Sequence, residues 1–424
     1  MTIRICSGLL LIVSAVPVGN AQLPQAHSGD WPRWRGPNGN GVAESGQQPP
    51  VTWSETENVA WKAPVPGRGH SSPTVAGKRV FLTTADDTEQ VQSVLCFDRS
   101  TGGQIWRRDV NRGSFPARIH HKNTHATPSV ACDGTRLYAA FLNHDAIQVV
   151  ALDLEGMPVW EHFTDGFTPQ EYRNGYGASP LLYGNLVIVV GDFDGNAFLV
   201  ALDRESGQRV WQTPRPSHVN YPSPVVADVA GRHQLLLSGG YMVAGYDPRS
   251  GTQQWKATAT TMATAGTMIW EGDLVFASGG FPDPGTFCIR ADGSGSVVWQ
   301  NNHKCYEQSM IAADGFVYAI NDTGIALCWD AATGTEQWRH RLRGPISASP
   351  VHAGQQIYAS NELGTTWVYR ATPGDFELIG RNQLGTEVFS SPAICGGRIY
   401  FRVADSNEGQ RQETLYCIAA SAAK

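Results

Sequence analysis

Apolar residues in this chain fall into short runs separated by Gly, Asp, Asn and Pro, a spacing that predicts strands and tight turns rather than helices. One stretch sets the pattern: Val94-Leu95-Cys96-Phe97-Asp98, then Arg99-Ser100-Thr101-Gly102-Gly103, then Gln104-Ile105-Trp106. Asp98 ends a strand and its carboxylate can accept N–H groups of the turn. Gly102 supplies the positive φ of a reversal, and Trp106 re-enters a sheet as a large anchor. The Gly-x-x-x-Trp spacing returns at Gly156/Trp160, Gly207/Trp211, Gly251/Trp255, Gly295/Trp299 and Gly334/Trp338, with the Asp four residues ahead of the Gly again at Asp203, Asp247 and Asp330. A turn and strand recurring in this way define a repeat.

From Val59 onward the repeat is a four-strand unit. Each unit opens on Ser or Thr before Pro or Met: Ser72-Pro73, Thr127-Pro128, Ser179-Pro180, Ser223-Pro224, Thr267-Met268, Ser309-Met310, Ser349-Pro350 and Ser391-Pro392. Proline is tolerated there because the innermost strand of a blade is an edge strand. Eight starts predict an all-β chain folded as one eight-bladed antiparallel propeller over residues 59–424. The last unit stops at Leu415-Tyr416-Cys417-Ile418-Ala419 without its Trp strand, whereas Val59-Ala60-Trp61-Lys62 is such a strand with no unit before it. The N-terminal strand is therefore expected to close the last blade. Two units are degenerate: Ala291 replaces the Asp of the fifth, and Arg370 and Leu378 replace the Asp and Trp of the seventh.

Ahead of the repeat lie two further segments. Residues 1–21 read as a secretory signal peptide: Arg4, an apolar stretch from Ile5 to Val18, and Gly19-Asn20-Ala21 before a cleavage point. Cys6 comes too early in that stretch to carry a lipid, so a free exported protein, periplasmic or extracellular, is expected, with no membrane span after cleavage. Residues 22–58 form an irregular arm containing Trp31-Pro32-Arg33-Trp34-Arg35-Gly36-Pro37, whose tryptophans are expected to pack into grooves of the propeller. The remaining seven cysteines include no Cys-x-x-Cys and no adjacent pair, and Cys96, Cys328 and Cys417 occupy equivalent apolar strands as small hydrophobes. A net charge of -6 on 424 residues gives no reason to expect nucleic acid.

The turn Asp330-Ala331-Ala332-Thr333-Gly334-Thr335-Glu336-Gln337-Trp338 resembles the repeat of PQQ-like β-propellers, a superfamily of quinoprotein alcohol dehydrogenases and BamB-type assembly factors. The resemblance to the dehydrogenases would imply a quinone stacked on an adjacent-cysteine disulfide, a calcium ion held by carboxylate and amide oxygens, and an Asp base. The adjacent cysteines are missing and no Glu, Asn and Asp positions match the calcium site, so neither PQQ nor calcium is expected, and no catalytic, cofactor-binding or metal residue is assigned. The BamB-type resemblance implies instead a monomeric, non-catalytic scaffold for a protein or glycan partner in the cell envelope; the alternative is a divergent PQQ-dependent oxidoreductase.

Candidate binding residues follow from the repeat itself. Short turns join strands one to two and three to four, leaving the long loops on the opposite rim. The hydroxyls that open the units are expected to satisfy backbone groups of neighbouring blades near the axis. Two residues before each, the identity varies: His70, His125, Gly177, Tyr221, Ala265, Glu307, Ser347 and Phe389. Of these, His70, His125, Tyr221 and Glu307, with the nearby Tyr172 and Tyr176, are the candidates for ligand contact at the channel mouth. His120, His121 and His125 share a loop, but their spacing fixes no common face for a metal.

Overall fold

A computed structural model describes residues 27–407 and 410–420; the proposed signal peptide lies outside them. Strands are numbered β1 to β32 in chain order, and they group into eight antiparallel sheets of four. In the first, β2 (Thr74–Ala76), β3 (Arg79–Asp86), β4 (Val91–Asp98) and β5 (Gln104–Arg112) lie side by side in chain order, and the next six blades repeat that order. The eighth differs. Its order is β1 (Val59–Val65), β32 (Gln410–Ile418), β31 (Arg398–Asn407), β30 (Ala393–Cys395), with Trp61 opposite Cys417 and Ala63 opposite Leu415. The spare N-terminal strand thus completes the blade that lacked one, joining both ends of the repeat region in one sheet.

The repeated turn does the work its composition suggests. Asp98 Oδ1 accepts the N–H groups of Ser100 and Thr101 at 2.9 and 2.8 Å, and hydrogen bonds from the Ser100 hydroxyl and from Thr101 hold its carboxyl down at about 2. Gly102 follows at φ 76°, and a Cβ on it would lie 2.4 Å from the ring of Trp61. The glycine therefore serves two needs, the turn and the approach of an indole from the preceding blade. Trp61 Nε1 donates to Arg99 O at 3.1 Å, Trp106 Nε1 to Leu154 O at 3.0 Å, Trp160 Nε1 to Arg204 O at 2.9 Å and Trp338 Nε1 to Thr372 O at 2.8 Å. These blades are latched to the next through the outermost strand, whereas Trp211 Nε1 of the third blade is buried without a hydrogen-bond partner among the described residues. The fifth unit, with Ala291 in place of Asp, breaks this pattern: Trp255 donates to Gln234 Oε1 at 2.5 Å, and Gln234 Nε2 donates to Ala291 O at 2.9 Å.

At the axis the hydroxyls form a second circuit. The N–H of Ser72 donates to Ser129 Oγ, that of Ser129 to Ser179, of Ser179 to Ser223, of Thr267 to Ser309 and of Ser309 to Ser349, each at 2.9 Å. Ser349 N–H donates to Ser391 Oγ at 2.8 Å, and Ser391 N–H returns to Ser72 Oγ at 2.9 Å. The second blade enters this circuit through Ser129, not Thr127. Ser129 precedes its first strand (Ala131–Cys132) by the same two residues as Ser72 precedes β2. The Thr127-Pro128 pair imitates the opening of a unit but lies one step of the strand period too early.

The arm crosses the short-turn side. Trp31 bridges to Val75, Cys132 N–H donates to Pro32 O at 2.8 Å, and Val42 bridges to His352. Arg35 is buried at the inner ends of blades six and seven, where its guanidinium donates to Met310 O at 2.5 Å and Pro350 O at 2.7 Å.

Candidate functional site

Where the hydroxyl circuit has its break, between Ser223 and Thr267, a residue of the arm enters: Trp34 Nε1 donates to Thr267 Oγ1 at 2.8 Å. Its indole forms the floor of a cavity of about 280 Å³ on the axis, opening toward the long loops. The walls are made by the residue two places ahead of each circuit hydroxyl, namely His70, Thr127, Gly177, Tyr221, Ala265, Glu307, Ser347 and Phe389. The propeller thus brings at least one residue of each blade to the cavity.

Two loops roof it. Residues 113–125 and 164–177 are tied together at Asn174 O, which accepts from Asn123 Nδ2 at 2.7 Å and from His120 N–H at 3.3 Å. The first loop reaches across the mouth, where Lys122 Nζ meets Glu362 Oε1 at 2.7 Å and Glu307 Oε2 at 3.9 Å. The second reaches blade five, placing Tyr172 edge-on to Phe281 at 5.6 Å. Asn174 Nδ2 donates down to the Tyr221 hydroxyl at 2.6 Å.

Ser347 Oγ lies in hydrogen-bond contact with Glu307 Oε2 and, at 2.6 Å, with Glu362 Oε1. Burial raises the Glu307 pKa, with Glu362 and Asp322 adding to the effect and the Ser347 hydroxyl and Lys122 opposing it. The opposite wall is His70, 9% exposed, stacked on Phe389 at 4.4 Å. Burial, and then the positive charges of Arg68, Arg402 and Arg411, hold its pKa well below the ordinary value, so the ring is neutral. His70 Nε2 is buried without a hydrogen-bond partner among the described residues.

Of the residues expected at the mouth, His70, Tyr221 and Glu307 line this cavity and His125, Tyr172 and Tyr176 do not. His125 falls out because the second blade is in register through Ser129; its ring packs on Phe115 at 4.3 Å, and Thr127 takes the place assigned to it. Tyr176 is buried against Phe167 at 5.7 Å, and Tyr172 lies on the roof. The His120 ring packs tilted against His121 at 4.2 Å, while His125 packs on Phe115. Trp34, Lys122, Asn123 and Asn174 were not anticipated. The long blade connection at 111–125 was the one signal available for Lys122 and Asn123, and nothing in the arm specified that Trp34 reaches the axis.

The model of the family described as outer membrane protein assembly factor BamB matches residues 90–292 and 288–377, more than half of the chain. The chain belongs to the BamB family. BamB of Burkholderia pseudomallei (strain K96243) is 26% identical over 251 residues, covering 56% of this chain and 59% of that protein, so the match spans about three-fifths of the relative's length. Among solved structures, BamB from Moraxella catarrhalis is similar with a TM-score of 0.59 at 14% identity, over 86% of this chain and 97% of that one. A quinohemoprotein alcohol dehydrogenase from Comamonas testosteroni gives a TM-score of 0.66 at 13% identity, over 94% and 82%. These structural likenesses describe the fold.

The dehydrogenase likeness raises the question of PQQ, a planar tricarboxylate. The cation nearest the cavity, Lys122, is already engaged by Glu362 and Glu307, and Glu307 itself forms part of the wall. The described cysteines are buried and unpaired, and none borders the cavity. Among the described residues no three His, Cys, Asp or Glu side chains gather to hold an ion.

Proposed function

We propose that this protein is an exported, non-catalytic scaffold of the cell envelope that holds a protein partner on its loop-rich face. Membership of the BamB family supports a protein partner, and one observation carries the choice of face: the apolar residues exposed beside the roof. Tyr172, Phe281, Tyr241 and Leu363 are 37, 39, 46 and 57% exposed. Tyr172 packs edge-on to Phe281 at 5.6 Å, and the loop carrying Tyr241 is joined to that of Phe281 through residues 261–263, where the Tyr241 N–H donates to Thr261 O at 3.1 Å and Ala263 bridges to Phe281. Exposed aromatics grouped on a rigid scaffold are what a docking surface requires. The arm crosses the opposite side, bridging at Val75 and His352. No helix among the described residues is long and apolar enough to cross a membrane.

Two measurements test this reading. The double variant Tyr172→Asp/Phe281→Asp should retain its fold and lose a co-purifying envelope protein that the unaltered chain retains; undiminished co-purification contradicts the choice of face. Added PQQ and calcium should give no quinone absorbance and no dye-linked alcohol oxidation, whereas a stoichiometric quinone spectrum with turnover contradicts the non-catalytic reading.

A further inference from the structure

The axial cavity is distinct from the exposed aromatic residues above it and has its own chemistry. Four half-buried aromatic side chains, Trp34, Tyr221, Tyr306 and Phe389, line it, so much of its surface is flat and apolar. The polar groups between them are engaged with one another. Lys122 Nζ lies 2.7 Å from Glu362 Oε1 and 3.9 Å from Glu307 Oε2, and Ser347 Oγ sits in hydrogen-bond contact with both carboxyl groups. An anion entering this space would meet Glu307; a cation would find the carboxylates already served by Lys122.

What the cavity lacks is hydrogen-bond partners. His70 Nε2 is buried and unpartnered at the wall. The Tyr221 hydroxyl accepts from Asn174 at 2.6 Å, which leaves its own proton to donate. A buried imidazole nitrogen without a partner costs about 1–3 kcal/mol unless a ligand or water satisfies it. The volume of about 280 Å³ is near the lower end of small-molecule sites.

We propose that this cavity binds a neutral saccharide, one pyranose ring stacked on the aromatic walls above Trp34 with its hydroxyl groups on His70, Tyr221 and Glu307. A pyranose matches each feature: an apolar C–H face for the aromatics, no charge, and hydroxyls that both donate and accept. The sugar is free or the terminal residue of a glycan, and the same contacts serve either source.

The test uses the purified full chain and isothermal titration with D-glucose, D-galactose, D-mannose and N-acetyl-D-glucosamine, each also as its methyl glycoside, with saturation-transfer NMR to detect weak binding. At least one sugar should bind, and Tyr221→Phe and Glu307→Gln should each weaken it by about tenfold, the loss of one hydrogen bond. Both substitutions conserve shape, and circular dichroism should be unchanged. Binding of a methyl glycoside assigns a glycan terminus; binding of the free sugar alone assigns a free sugar; either supports the proposal. No binding by any of these sugars to folded protein, binding of methylammonium instead, or sugar binding unaffected by both variants overturns it. The outcome is independent of whether a protein docks on the aromatic residues above.

Discussion

Trp34 Nε1 and Thr267 Oγ1 are 2.8 Å apart, and this contact lies at the break in the axial hydroxyl circuit. An arm residue thereby becomes part of the propeller's central layer. Trp34→Phe keeps an aromatic floor and removes the donor, so it should cost about 1 kcal/mol in urea unfolding, the net value of one hydrogen bond. Trp34→Ala should cost more and deepen the cavity. If Trp34→Ala leaves stability unchanged, the arm does not pack at the axis.

Ring closure rests on Trp61, whose indole is buried over Gly102 and bonded to Arg99 O at 3.1 Å. Trp61→Ala removes a large buried ring from the joint between the last and first blades and should destabilise by about 3–5 kcal/mol. Gly102→Ala should also destabilise, through both the φ of 76° and the 2.4 Å approach of the indole. Deleting residues 59–66 should be worse than either, and thermal unfolding unaffected by that deletion would contradict the closure.

This joint was legible in the sequence because it depends on a count: one unit short of a strand, one strand without a unit. The axial hydroxyls were legible for the same reason, since the spacing to the first strand repeats. Blade two was misread by two residues because Thr127-Pro128 copies the local chemistry of Ser72-Pro73, and only the pairing of Ala131 with Tyr138 shows which hydroxyl faces the axis. The roof and floor were not legible. Lys122 meets Glu362 across 240 residues of chain and Trp34 meets Thr267 across 233, and such contacts depend on where an irregular loop is carried.

Each hydroxyl of the circuit accepts a buried N–H. Ser349→Ala strands the Ser309 N–H, which now bonds at 2.9 Å, and should cost about 1–3 kcal/mol. Ser349→Thr keeps the acceptor and should cost less. Equal losses for the two variants, measured by chemical denaturation, would argue against the circuit.

The buried neutral His70 makes a pH prediction with a definite sign. Its folded pKa is depressed, so below the ordinary His value of about 6.5 the unfolded chain binds a proton that the folded chain does not. Stability is therefore lost as pH falls below about 6.5, with a slope approaching 1.4 kcal/mol per pH unit for this group. Glu307 acts oppositely: its raised pKa contributes stability at low pH that is lost as pH rises through the folded value. His70→Phe should flatten the loss between about pH 6.5 and 5, whereas Glu307→Gln, which removes a contribution of opposite sign, should not flatten it. An unchanged slope in His70→Phe would place the ring in contact with water.

The central claim is that the loop-rich face, not the rim or the arm side, receives a protein. The most direct measurement places a photo-crosslinking amino acid singly at Phe281 and Tyr241 on that face, at Val210 on the outer strand of blade three, which is 53% exposed, and at Lys78 on the arm side, and irradiates the protein in its native envelope. Positions 281 and 241 should capture the same protein, and capture at 281 should be abolished by Tyr172→Asp. Capture of that protein from positions 210 or 78, with none from 281 and 241, would contradict the account.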